Sequence, residues 1–173
     1  NDRDDSPLAG EIKLLGVGTG RVAQAPLAQE LKKLFAADAF GSKNKADFYE
    51  DMKKFFVNYF KQVALVFGGA WNGRKYSIKS ATALRAFIRV APDVVRRLDE
   101  EHADRADFRA IGRVISPWGR RIGDLRFETD GAWKSGTTVE SLAKELRLAL
   151  QYPEGASVYR AAMTDTLSSR SDA

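Results

Sequence analysis

"DFYEDMKKFFVNYFKQVALVFGG", residues 47–69, decides the architecture. Phe48, Met52, Phe55, Phe56, Tyr59, Phe60, Val63 and Phe67 recur at steps of three and four, the spacing of one face of an α-helix. Burying each of these side chains stabilises a fold by about 1.5–3 kcal/mol, so a stripe this long belongs in a core. The spacing predicts a long central helix from Asp47 to about Phe67, ended by Gly68 and Gly69.

Working outward, the C-terminal side is mostly helical in pattern. "WNGRKYSIK" (71–79) reads as a turn at Asn72-Gly73 leading into a short extended segment. "SATALRAFIRVAP" (80–92) returns to helical spacing, with Ser80 as N-cap and Leu84, Phe87 and Ile88 facing inward. Pro92 opens a new helix, "PDVVRRLDEEHAD", and "ADFRAIGRVISPW" (106–118) gives a third that ends before Pro117. Within the glycine-punctuated 119–136, "DLRFET" alternates like a small strand. "TTVESLAKELRLALQ" (137–151) is a helix with a Thr137-x-x-Glu140 capping box and Leu142, Leu146, Leu148 and Leu150 in support.

On the N-terminal side, an acidic lead-in ends at Pro7, and "GEIKLLG" (10–16) is a short strand. Pro26 fits the first turn of a helix over 26–37, in which Leu27, Leu31, Leu34 and Phe35 repeat at helical spacing. The fold class expected is α+β and predominantly helical, with five to seven helices around the long central one and one or two short strands or hairpins. Residues 1–152 read as a single domain, and 153–173 as a C-terminal helix or flexible tail.

Between that strand and helix lie Gly16, Gly18 and Gly20. A phosphate loop needs a helix whose first amides point at the anion. Here "RVAQA" separates Gly20 from Pro26, no Gly-Lys-Ser/Thr follows, and G-x-G-x-x-G is not met. The stretch reads as a connection between strand and helix.

The chain has 173 residues and no cysteine, which removes disulfides, thiolate chemistry and the commonest zinc ligands. Its single histidine, His102, sits in the charged run "LDEEHADRAD" and reads as a solvated helix surface. "DRDD" and "DEEHAD" lack the alternation and glycine of a calcium loop. Neither a metal nor a cofactor is expected. No Cys/His pair, G-x-S-x-G elbow or H-E-x-x-H motif is present, so no catalytic residue is assigned. No apolar run approaches the roughly 20 residues that span a bilayer, and no secretory leader is visible. A cytoplasmic protein is expected.

Net charge is +5, and residues 71–135 hold the excess, with 14 Lys/Arg against 9 Asp/Glu. Most of these cations are arginine, whose planar fork suits phosphate. A basic sector of this kind suits a polyanionic partner. The candidate phosphate contacts are Arg74, Lys75, Lys79, Arg85 and Arg89, with Arg96, Arg97, Arg120 and Arg121 as a second group. Arg85 and Arg89, four apart, share the face opposite the core.

Two stretches carry a family resemblance: "NDRDDSPLAGEIKLLG…GRVAQAPLAQELKKLF" and "FFVNYFKQVALVFGGAWNGRKYSIKSATALRAFIRVAPDVV". In that order they resemble the C-terminal half of DGQHR-domain proteins, bacterial and phage proteins that include the regulator of DNA sulfur modification (phosphorothioation). The matching residues are Ser6-Pro7, Gly10-x-Ile12, Tyr59-Phe60, Trp71 and Tyr76-x-Ile78-Lys79-Ser80, and a weaker likeness continues through "SGTTVESLAKELRLAL". The family's signature lies upstream in a ParB-like α/β region and is absent here, so the resemblance implies a chain that begins after it. The function implied is a DNA-associated module in DNA modification, its transcriptional regulation or anti-phage defence. Two alternatives stay open. One is a regulatory scaffold that binds a protein partner without touching DNA. The other is part of a nuclease or ATPase whose catalytic residues lie upstream of Asn1.

Overall fold

The structure, a computed structural model, describes residues 6–13, 20–41, 46–134 and 136–151. Gly16, Gly18 and the C-terminal segment 153–173 lie outside the described residues. Among those described there are seven α-helices and two short strands. Strands β1 (Ile12–Lys13) and β2 (Val22–Ala23) pair in parallel, Ile12 opposite Val22. Helices α1 (Gln24–Ala36), α2 (Phe48–Val66), α3 (Gly68–Asn72) and α4 (Ala81–Glu100) follow. Then come α5 (Phe108–Ile115), α6 (Pro117–Arg121) and α7 (Val139–Gln151). The protein is predominantly helical α+β, as its patterning requires. No helix among the described residues is long and apolar enough to cross a membrane.

The aromatic stripe is the buried face of α2: Phe48, Met52, Phe55, Tyr59, Phe60 and Val63 are buried, and Phe67 closes the helix. The helix that packs most extensively, however, is α4, which lies against α1, α5 and α7. Sequence reading breaks it at Pro92, yet it runs on to Glu100. Proline in a helix interior costs about 3 kcal/mol. Leu84, Phe87, Ile88, Ala91, Val94, Val95 and Leu98 form one buried face that continues across Pro92. Splitting the helix would expose several of these side chains at about 1.5–3 kcal/mol each, so continuity wins.

Buried polar atoms pin the layers together. Tyr59 donates its hydroxyl to the Phe87 carbonyl at 2.9 Å, and Trp118 donates its indole N–H to the Leu146 carbonyl at 3.0 Å. Around them the Trp118 ring meets Tyr59 and Phe87 with centroids 6.2 and 5.8 Å apart, and Phe67 meets Phe127 at 5.1 Å. Asn58 and Gln62 of α2 donate to the carbonyls of Ala106 and Phe108, each at 2.7 Å, which seats the start of α5.

Several boundaries differ from the sequence reading, each for a local reason. Gly68 and Gly69 end α2 but also begin the short α3, which runs up to the Asn72-Gly73 turn. "DLRFET" is a 3-10 turn over Asp124–Phe127, and its one strand-like contact is the bridge between Tyr76 and Glu128. Phe127 is wholly buried against Phe67 while Leu125 is 69% exposed, whereas a strand would put these two side chains on one face. The cap of α7 falls one residue later than expected. Thr138 Oγ1 accepts from the Ser141 amide at 3.0 Å, and Ser141 Oγ accepts from the Thr138 amide at 3.0 Å. Thr137 instead accepts from Arg126. Leu148, expected to support the packing of α7, is 43% exposed. The helix bearing Arg96 and Arg97 stops before His102, whose φ of 54° marks a left-handed helix stop rather than a helical surface position.

Gly20 is fixed by close approach. A Cβ there would lie 2.5 Å from Ile12 C and Lys13 N, so only glycine lets the chain come back beside β1. By contrast, a Cβ on Gly68 at the head of α3 would meet nothing within 4 Å. Gly20→Ala is therefore expected to destabilise by about 1–3 kcal/mol. Gly68→Ala is expected to be neutral or stabilising by up to about 1 kcal/mol. Thermal melts of the two variants beside the parent check both signs.

Candidate nucleic-acid interface

The nine cations singled out from the sequence do not form one surface. Arg85 and Arg89 project from α4 toward α1, whose Glu30 is only 3% exposed. Arg89 holds both oxygens of that carboxylate, at 2.6 and 3.0 Å, and Arg85 approaches it at 3.3 Å. The other side of Arg89 meets Glu140 of α7 at 2.7 Å. Arg147 of α7 reaches Asp93 at 2.9 Å, and Arg96 takes the second oxygen of Asp93 at 2.7 Å. The result is one ionic chain that ties α1 and α7 to α4. The face of α4 that sequence reading leaves to solvent is thus covered by two neighbouring helices.

The electrostatics of Glu30 follow from this geometry. A buried carboxylate is tolerated only when paired and hydrogen-bonded. The Arg89 hydrogen bond holds the Glu30 carboxyl below its usual value of 4.5, against an opposing push from burial, with Arg85 adding to the downward pull. The same bond raises the pKa of Arg89.

Arg96 and Arg97 lie on the exposed side of the last turns of α4, with side chains 66% and 46% exposed. Each pairs with an acid three residues away, Asp93 and Glu100 respectively, an arrangement worth about 0.3–0.5 kcal/mol. Such pairs yield readily to a phosphate. Arg120 and Arg121 are exposed on α6, and Arg121 reaches the Ala149 carbonyl at 3.5 Å.

Arg74, Lys75 and Lys79 come together in the turn between α3 and α4. There Arg74 and Lys79 line a cleft of about 440 Å³ at the head of α4. One wall is the α3–α4 turn, with Asn72 and Tyr76, and the other is the β1–β2 pair, with Glu11 and Arg21. The Val22 amide donates to the Glu11 carbonyl at 3.0 Å, which sets Arg21 beside Glu11. Lys79 Nζ is 2.6 Å from Glu11 Oε1 and 5.9 Å from the centre of the Trp71 ring. Lys75 stands beside the cleft, 2.5 Å from Glu128, whose hydrogen bond raises its pKa, and 5.4 Å from the centre of the Tyr76 ring. Among the described residues, the side chains of Arg21 and Arg74 carry no ion pair or hydrogen bond.

No family model, curated protein or solved structure matches this chain.

The cleft can do electrostatic work: two arginines without a carboxylate partner and one lysine converge from two separate segments. Arg21 escaped the sequence reading. Its signal was its place directly after Gly20, in a stretch weighed only for its glycines. Among the described residues no group of three or more His, Cys, Asp or Glu could hold a metal ion.

A group whose folded-state pKa is depressed stabilises the fold above its unfolded value and loses that contribution as pH falls through the folded value. Glu30→Gln is thus expected to cost about 2 kcal/mol near neutral pH. The gap to the parent should narrow as pH drops below 4.5. Urea unfolding of both proteins from pH 7 down to pH 3 measures it.

Proposed function

We propose that this chain is a DNA-associated module that contacts the nucleic-acid backbone through the cations at the head of α4. The observation that supports the reading most is the meeting of Arg21 and Arg74, neither with a carboxylate partner, beside Lys79 in one cleft. Arginines left unneutralised in a concave site favour a polyanion, and phosphate is the anion their planar forks fit best. Lys75, Arg96 and Arg97 flank this as weaker contacts, since each must exchange an acid for a phosphate. Arg85 and Arg89 take a structural part, because their withdrawal would leave Glu30 buried and unpaired. The resemblance to the helical half of DGQHR-domain proteins gives the context: DNA modification, its transcriptional regulation or anti-phage defence in the bacterial cytoplasm.

Backbone contacts of this kind position a protein without reading sequence, and their affinity falls with salt. Three to four phosphate contacts predict a loss of about 40- to 150-fold in duplex affinity between 50 and 200 mM salt. Arg21→Glu combined with Arg74→Glu should reduce the salt slope by about two and weaken binding to all sequences alike. Absence of duplex binding at 50 mM salt would remove the proposal.

A further inference from the structure

Resting on that reading, we infer that the cleft at the head of α4 is a site for the terminal phosphate of a nucleic-acid strand, a phosphomonoester rather than an internal diester.

Charge is the first argument. Arg21, Arg74 and Lys79 bring three positive charges to the cleft and Glu11 one negative charge, a balance of +2. An internal backbone phosphate carries a single negative charge. A phosphomonoester carries about −1.5 to −2 at neutral pH. The cleft therefore matches the monoester, and a diester leaves about one cation unneutralised.

Shape is the second. Arg21 and Arg74 are exposed at the rim, where a duplex backbone can meet them, but the space between them is a recess. They line a concavity closed on one side by the β1–β2 pair and on the other by the α3–α4 turn. A duplex backbone touches only the cations at the rim, whereas a strand end can enter the recess and meet Arg21, Arg74 and Lys79 together. The half-buried ring of Tyr76 and the polar side chains of Asn72 and Ser77 line the same space, within reach of the attached nucleoside.

The resident carboxylate sets the strength. Glu11 takes one hydrogen bond from Lys79 at 2.6 Å. An arriving phosphate competes with it for that lysine. Removing the Glu11 charge leaves Lys79 to the ligand.

The test uses a short single-stranded oligonucleotide, dye-labelled at its 3′ end, with either a 5′-phosphate or a 5′-hydroxyl. Each is titrated into the full chain at about 50 mM salt, beside a blunt duplex with hydroxyl ends. The phosphorylated strand is expected to bind about tenfold more tightly than the hydroxyl strand. Arg21→Gln with Arg74→Gln should erase that difference, and Glu11→Gln should widen it several-fold. Circular dichroism of each variant confirms that it folds. Equal affinity for the two strands overturns the inference while duplex binding still supports the broader reading. A preference that survives the double arginine variant also overturns it. Loss of the preference when inorganic phosphate is added at the concentration of the oligonucleotide would assign the cleft to free phosphate instead. Failure of every nucleic acid to bind removes both readings.

Discussion

The unbroken apolar face of α4 is the constraint on which this structure depends. It carries buried side chains from Ala83 to Leu98 and takes α1, α5 and α7 against it. The aromatic stripe of α2 supplies more ring surface and packs chiefly against α5, while two of its side chains also reach α4. Tyr59 ends on the Phe87 carbonyl, and Phe67 lies 6.1 Å from Phe87. Because the apolar face continues beyond Pro92, the helix absorbs the proline instead of stopping there. That continuity places the head of α4 beside the β1–β2 pair and its last turns beside Arg147.

Charge is organised around the same helix. The arginine excess of residues 71–135 is largely consumed by the fold. Arg85 and Arg89 meet Glu30, Arg105 grips both oxygens of Asp99 at 2.6 and 2.7 Å, and Arg126 grips Glu145 at 2.7 and 2.9 Å. Burying Glu30 without those guanidinium groups would be prohibitive, and with them it joins α1 to α4 in one register. A positive sector in the sequence is therefore chiefly a set of interhelical ties. The cations that form no ion pair are the ones that carry the functional argument, and in the cleft these are Arg21 and Arg74.

Much of the secondary structure was legible from local chemistry. The steps of three and four in α2, the Ser80 cap that accepts the Ala83 amide at 3.3 Å, and Pro26 in the first turn of α1 all act within a few residues. The misreadings had a common origin. Pro92, "DLRFET" and the cap of α7 were each settled by burial or by a partner elsewhere: the whole face of α4, the Phe67 ring, and the Arg126 side chain that occupies Thr137. Local propensity is a weak prior where tertiary packing offers several kilocalories per mole.

By itself the sequence determined that this is a helix-rich protein with an aromatic core, a cysteine-free chemistry and a surplus of arginine. Those features depend on side-chain type and periodicity, which neighbouring residues fix. Only the tertiary structure decided which arginines stay available to a ligand. Glu30 lies 55 residues before Arg85, and Arg21 lies far from Arg74 along the chain. A guanidinium's availability depends on whether a distant carboxylate is folded against it, and no local pattern encodes that distance.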